Sequence, residues 1–156
     1  MAKPDVRQLN FPGVADGQVV VYDSALGEFV AGGVLPTMSF LEQTATQSTT
    51  SLTPVPVAGM SITPAAGTYA VWWDGTTYQS AKGSDSRFSL FKDGVEIESS
   101  RSDSTAGGTN YSMDFTCLAR VTVNGSQSID GRMSAPTGGT TSIAKCNMLI
   151  MKVSPV

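Results

Sequence analysis

The sequence predicts an all-β protein, a sandwich or jelly roll of about eight strands. Apolar and polar residues alternate with a period of two along most of the chain, and the i, i+3, i+4, i+7 spacing of an amphipathic helix is almost absent. Glycine, proline, asparagine and aspartate separate the alternating runs at intervals of roughly 8 to 12 residues. Both patterns are typical of short strands joined by turns.

The N-terminal segment predicts an arm followed by a small β-hairpin. Residues 18–22 and 28–30 are rich in β-branched and aromatic residues, and a turn-forming Asp/Ser/Gly cluster lies between them. Because a lone two-stranded hairpin is only marginally stable in water, we expect it to pack on the rest of the chain, on a neighbouring copy or on a larger assembly. The composition changes near residues 34–38, so the sequence predicts an anchoring arm and hairpin in residues 1–35 and a globular domain in residues 36–156.

The first strands of the globular domain differ in character. Residues 40–47 are rich in Thr, Gln and Ser, and residues 52–57 are interrupted by Pro54 and Pro56. Because proline cannot donate a hydrogen bond to a sheet, both prolines belong on an edge strand or in a loop. Residues 67–74 carry large apolar side chains on both faces, which predicts a strand covered on both sides.

Two turn pairs predict hairpins later in the chain. Asp93-Gly94 and Asn124-Gly125 each lie between alternating runs, and such pairs favour type I′ turns. The strand before Asn124 is long and central, with alternate apolar residues from Phe115 to Val123 on one face. In the closing run Met148 and Ile150 point opposite to three other apolar residues, Leu149, Met151 and Val153. If one set fills the interior, the other needs a cover that a single copy need not supply.

Composition argues against nucleic acid and membranes as partners. The net charge is −3, and only 15% of the residues are charged, against roughly 25% in an average soluble domain. No basic patch is visible for phosphates, and no apolar run approaches the roughly 20 residues that span a bilayer. We expect a soluble protein without a visible export signal.

The sequence also predicts that the protein is not an enzyme. It has no histidine, which excludes Ser-His-Asp and Cys-His machinery within the chain. Paired carboxylates could hydrolyse glycosides, but Asp93 is a turn former, and Glu96 and Glu98 alternate on the solvent side of a strand. No acidic loop has the spacing of a calcium site. We therefore expect no catalytic residues, no cofactor and no metal.

Two groups of residues leave alternatives open. Cys117 and Cys146 have a spacing that matches no metal or redox motif, and they are either buried free thiols or a bridge. Trp72, Trp73 and Tyr78 form an aromatic group that either packs in the core or a subunit interface, or stacks against a glycan.

Four segments carry a resemblance to a known family. They are residues 67–71, 91–95, 115–125 and 148–153. Their arrangement over residues 38–153 resembles the trimeric jelly-roll family that includes tumour necrosis factor and the complement globular head, especially the versions in tailed-phage structural proteins. Residues 13–23 with 28–30 are similar to short hairpin units of phage fibre and capsid-surface proteins.

The resemblance implies a jelly-roll homotrimer in a phage virion. Faces of the last and central strands would pack around the three-fold axis through Phe115, Cys117, Met148 and Ile150. The implied function is that of a capsid decoration protein, made in the host cytoplasm and located on the capsid surface. It would dock on the major capsid protein through its arm and hairpin, at Phe11, Val20, Tyr22 and Phe29.

An alternative function is open within the same resemblance. The domain could be the tip of a tail fibre or spike that binds a host receptor or glycan. That site would use Trp72, Trp73 and Tyr78, or the loops at residues 102–109 and 135–141.

Overall fold

The computed structural model describes the backbone of residues 18–23, 28–34 and 37–154, and the side chains of residues 37–153. The chain divides between Thr37 and Met38 into two compact units, Met1–Thr37 and Met38–Val156.

The first unit contains the predicted hairpin. Strands β1 (Gln18–Asp23) and β2 (Glu28–Val34) are antiparallel, with Tyr22 opposite Phe29 and Val20 opposite Ala31. Phe11, the fourth predicted anchoring residue, lies outside the described residues.

The second unit consists of ten strands. They are β3 (Met38–Gln43), β4 (Gln47–Thr49), β5 (Val55–Ile62), β6 (Gly67–Gln79), β7 (Asp85–Lys92), β8 (Val95–Glu96), β9 (Ser102–Thr105), β10 (Tyr111–Val123), β11 (Ile129–Ser134) and β12 (Thr141–Ser154). Among residues 37–154 the only helical element is one 3-10 turn, Glu98–Ser100. The all-β prediction is confirmed, and the count exceeds eight because pieces such as β4 and β8 are too short to show alternation.

These strands form two five-stranded antiparallel sheets. In the sheet that we call the long sheet, the order is β10-β6-β12-β3, and β4 also pairs with β12. In the short sheet the order is β5-β11-β7-β8, and β9 also pairs with β7. Apart from the β7–β8 hairpin, most strands that are neighbours in space are not consecutive in sequence, which confirms the predicted jelly roll.

One turn forms as predicted and the other does not. Asp93 and Gly94 have φ of +50° and +80°, and they close a hairpin between β7 and β8. The prediction of a hairpin at Asn124-Gly125 is wrong, because β10 and β11 belong to different sheets. Only Gly125 of that pair has a positive φ, while the Asn124 side chain accepts a hydrogen bond from the Ser126 N–H, so the chain crosses between sheets instead of reversing.

The edge of the short sheet agrees with the proline pattern. Pro56 lies in β5, which pairs only with β11 and is therefore an edge strand. The missing N–H of proline leaves the sheet intact there.

The core lies between the two sheets and is centred on aromatic rings. Trp73 of the long sheet makes edge-to-face contacts with Phe115, at 4.8 Å between ring centroids, and with Phe88, at 6.1 Å. Phe88 and Phe115 stack at 3.9 Å. Cys117 and Cys146 are buried free thiols in this core, which decides between the two alternatives for the cysteines.

A candidate interaction face on the long sheet

The face of the long sheet that points away from the core carries a line of apolar side chains across all four principal strands. Leu149 of β12 lies opposite both Phe40 of β3 and Trp72 of β6, and Trp72 lies opposite Leu118 of β10. Directly opposite residues of antiparallel strands share a face, so these four side chains are neighbours. We call such a row of opposite residues across the strands a level of the sheet. Their exposed fractions are 62% for Phe40, 36% for Leu149, 52% for Trp72 and 57% for Leu118. We call these four residues the apolar row.

The next level along the strands extends the same surface. Met151 lies opposite both Met38 and Ala70, and Arg120 lies opposite Ala70 at the β10 edge. Met38 is largely exposed. Two successive levels therefore form a contiguous apolar surface, which in a soluble protein marks an interaction site.

The levels on the other side of the apolar row are polar. Asp74 lies opposite Asn147 and Thr116, and Thr76 lies opposite Lys145 and Asp114. These side chains border a depression of about 250 Å³. Thr76 Oγ1 donates a hydrogen bond of 2.9 Å to Asp114 Oδ1.

Gly75 shapes the floor of this depression. A Cβ on Gly75 would lie 2.6 Å from the Lys145 carbonyl oxygen and 2.6 Å from Cys146 Cβ, and the register of β12 on β6 is irregular just beside it, between Ile143 and Lys145. The close approach of the two strands leaves space only for glycine.

A second surface lies at one end of the sandwich, where four loops meet. Asp85 links one of them to β9, because its backbone N–H donates to Thr137 Oγ1 of the 135–140 loop at 2.7 Å and its carboxylate accepts from Thr105 Oγ1 at 2.5 Å. The Ala106 N–H donates to the Ser84 carbonyl oxygen at 2.9 Å. We call this end, formed by residues 50–54, 80–84, 106–110 and 135–140, the loop end.

No protein-family model matches the sequence, and no curated protein matches it either. Among solved structures, that of Eiger, a tumour necrosis factor from S. frugiperda, matches with a TM-score of 0.55 and 11% sequence identity. The match covers 78% of this chain and 95% of that one. The chain has a tumour-necrosis-factor-like fold. At this identity the likeness shows the fold alone, and the function has to be argued from the surface.

The residues that the resemblance placed at a trimer interface lie inside the tumour-necrosis-factor-like sandwich. Phe115, Cys117, Met148 and Ile150 are each at most 2% exposed and belong to the core. Their side chains have no surface left for another copy, because the short sheet already covers them. A contact between copies through β10 and β12 would use the opposite face, which carries Leu118 and Leu149.

The three predicted glycan-stacking residues do not form one cluster in the tumour-necrosis-factor-like domain. Trp73 is buried in the core, while Trp72 and Tyr78 lie on the outer face of β6. Six residues of a strand separate these two by roughly 20 Å. Of the predicted loops, residues 102–105 form β9, and residues 135–140 belong to the loop end.

The carboxylates of the tumour-necrosis-factor-like domain are engaged in ion pairs or dispersed. Asp103 accepts from Arg87 at 2.8 Å and lies 3.3 Å from Arg101, and Asp130 pairs with Arg132 at 2.6 Å. The hydrogen bond to Asp103 raises the pKa of Arg87. In the described part of the chain, no three His, Cys, Asp or Glu side chains are grouped closely enough to hold a metal ion. The same residues include no helix with the length and apolar character needed to cross a membrane.

The sequence predicts the apolar row only in part, with Trp72 as a possible glycan contact and Leu149 in a set of apolar residues that needs a cover. The alternation carries a signal for the other members of this face, because Leu118 is a large apolar residue at an outward position of β10, as Trp72 is on β6. The sequence predicts a strand at Phe40 and no role for its side chain. Only the register places these residues on one line.

Proposed function

We propose that this chain is the subunit of a homotrimeric, non-catalytic structural protein of a phage virion, and specifically a capsid decoration protein. The observation that carries the proposal is the apolar row, exposed on the outer face of a tumour-necrosis-factor-like sheet. A face of this kind needs a partner, and a second copy of the same chain is always present at the right concentration.

Burial of the apolar row supports association of copies. A fully buried large apolar side chain contributes roughly 1.5 to 3 kcal/mol, and about half of each side chain in the row is exposed, so each copy gains on the order of several kcal/mol. Closed cyclic symmetry limits growth to a defined ring and leaves no row uncovered.

The edge of the long sheet supports the same arrangement. β10 has thirteen residues, and among the described strands it pairs only with β6. A long edge strand offers unpaired backbone groups and is normally covered or blocked. A contact in which this edge approaches the face of the next copy would cover both the edge and the apolar row.

The assignment to a capsid surface rests on the N-terminal unit. Its β1–β2 hairpin has only two strands, which is too few for independent stability in water. We propose that Val20, Tyr22, Phe29 and the more N-terminal Phe11 dock on the major capsid protein. Three hairpins on one trimer would multiply the strength of a weak contact.

The proposal is tested in two steps with the full chain. Sedimentation should give three times the 16.3 kDa chain mass. Particles stripped of the protein should bind it again, and a Tyr22→Asp/Phe29→Asp variant should remain trimeric but lose particle binding by at least tenfold. A Val95→Asp variant, changed at an exposed position of β8, is the matched control. A wild-type monomer would reject the trimer, and binding equal to wild type by the hairpin variant would reject the docking site.

The loop end supports a second candidate function, binding of a host receptor or glycan by a fibre tip. Asp85 links the 135–140 loop to the end of β9 there. Tyr78 and Tyr111 are both exposed at this end, on opposite faces of the long sheet, because Tyr111 lies opposite the buried Gln79. Tyrosines of this kind stack against sugars. Met38, the first residue of β3, pairs with Met151 at the end of the sandwich away from the loop end.

Glycan-array binding separates the two functions. Binding that is lost in a Tyr78→Ala or a Tyr111→Ala variant but kept in Val95→Ala would favour the fibre tip. If the wild-type chain binds no glycan on the array, the result counts against the fibre-tip function.

A further inference from the structure

The polar side of the outer face carries two opposite charges at one level of the long sheet. Lys145 of β12 and Asp114 of β10 both lie opposite Thr76 of β6. Two strand spacings separate them, which is roughly 10 Å between backbones. Both residues are exposed. The ion pairs among the described side chains involve Arg87, Arg101 and Arg132, and neither Lys145 nor Asp114.

The two charges occupy different parts of the sheet. Asp114 lies on the edge strand β10, and its carboxylate accepts a hydrogen bond of 2.9 Å from Thr76 Oγ1. Lys145 lies on the inner strand β12. Lys145 is the one cation at the polar levels among the described residues, which otherwise carry Glu42, Asp74 and Asp114. Arg120 lies on the far side of the apolar row.

We propose that Lys145 of one copy pairs with Asp114 of the next copy across each subunit contact. This inference rests on the trimer proposed above. If the three-fold axis runs parallel to the strands, rotation about it does not shift residues along the strands, so equivalent levels of two copies meet. If the β10 edge of one copy also packs on the outer face of the next, β10 lies near the inner strand β12 of that copy. Two charges that do not pair within one chain then meet between chains.

The pair would fix the level at which the copies meet. The apolar surface covers two levels of the sheet, so apolar contact alone permits a slip of one level along the strands. A slip of one level places Lys145 beside Thr116 or Ser112 of the next copy and leaves Asp114 without a partner, which is unfavourable for charges that the contact desolvates. The depression of about 250 Å³ beside both residues leaves space for the partner side chain.

Charge reversal tests the pair in the full chain. We expect Lys145→Glu and Asp114→Lys each to raise the concentration at which half of the trimer dissociates by roughly tenfold or more. The double variant should return to within about threefold of wild type, because the charges are exchanged and the contact is restored. Lys82→Glu, an exposed lysine in the β6–β7 loop, is the control for a change of net charge and should behave as wild type.

Cysteine cross-linking gives a second, geometric readout. In a Lys145→Cys/Asp114→Cys variant the two new thiols cannot bridge within one chain, because their Cα atoms lie well beyond the roughly 7 Å limit for a disulfide. Mild oxidation should therefore yield covalent dimers and trimers on a denaturing gel, which disappear on reduction. Each single cysteine variant controls for random cross-linking.

The outcomes separate this inference from the proposed function. A wild-type monomer rejects both. A wild-type trimer whose double charge variant is no better than the single ones, and whose cysteine variant stays uncrosslinked, rejects the pair and leaves the trimer standing. Circular dichroism of each variant identifies any that fails to fold, in which case the milder Lys145→Met and Asp114→Asn replace it and should still weaken the trimer.

Discussion

The indole of Trp73 in the long sheet packs directly against Gly131 of the short sheet, which has no side chain to keep the ring away. A Cβ on Gly131 would come 2.9 Å from the ring atoms. Trp73 is completely buried, and its ring also contacts Phe88 and Phe115. The spacing of the sheets at the centre of the core therefore depends on the glycine.

Gly131→Ala should destabilise the domain. An added methyl group has no space under the indole, and overpacking of a tight core typically costs about 1 to 3 kcal/mol. We expect a melting temperature lower by several degrees. Gly107→Ala is the control, because a Cβ there meets the Tyr111 ring at an ordinary 3.6 Å. Equal melting of the two variants would contradict the contact.

Leu118→Asp should leave the fold intact and dissociate the proposed trimer. Leu118 is solvent-exposed in the single chain, so the free energy of unfolding of the monomer should change by less than about 0.5 kcal/mol. In a trimer the carboxylate would be buried in the apolar row. Sedimentation should then give the 16.3 kDa chain mass. Val95→Asp, with a more exposed valine on β8, should sediment as wild type.

The two tryptophans should respond differently to assembly. Trp72 is half-exposed in the apolar row, whereas Trp73 is buried in the core. With Trp73→Phe, the remaining Trp72 should be quenched by iodide in dilute protein and protected once the concentration passes the assembly range. With Trp72→Phe, the remaining Trp73 should stay protected at every concentration. Iodide access to Trp72 that does not depend on concentration would place the subunit contact elsewhere.

Stability should fall in alkaline solution through the Cys117 thiol. Desolvation by burial raises the pKa of Cys117 from 9.0 to about 12. Between these two values the unfolded chain loses the thiol proton and the folded chain keeps it, so unfolding is favoured as the pH rises. The stabilisation is complete below pH 9.0 and is lost toward pH 12, with a slope of about 1.4 kcal/mol per pH unit for this thiol.

Urea unfolding at a series of pH values between 8 and about 10 measures this slope. Burial also raises the pKa of Cys146 and adds in the same direction. Cys117→Ala should be less stable at pH 8, because it leaves a cavity. Its stability should nevertheless decline less steeply above pH 9. A variant that declines as steeply as wild type would show that other groups cause the loss.

Local features of this protein were predictable from its sequence. The alternation located the long strands, Asp93-Gly94 required a hairpin because both residues reach positive φ, and Pro56 required an edge strand because it has no N–H to donate. These features depend on a few adjacent residues and on backbone stereochemistry. The absence of histidine likewise rules out whole classes of catalytic machinery within the chain before any fold is known.

The direction in which each strand faces was decided only by the tertiary structure. β6 and the end of β12 carry large apolar residues on both faces, so alternation defines two faces without telling which one meets the short sheet. For the same reason the residues assigned to a trimer contact, Phe115, Cys117, Met148 and Ile150, lie inside, while Leu118, Trp72 and Leu149 lie outside. Asn124-Gly125 looks like a hairpin turn but leads from one sheet to the other. Strand pairing and sheet packing join residues far apart in the chain, and these long-range contacts, unlike local stereochemistry, decide which face is buried and which remains for a partner.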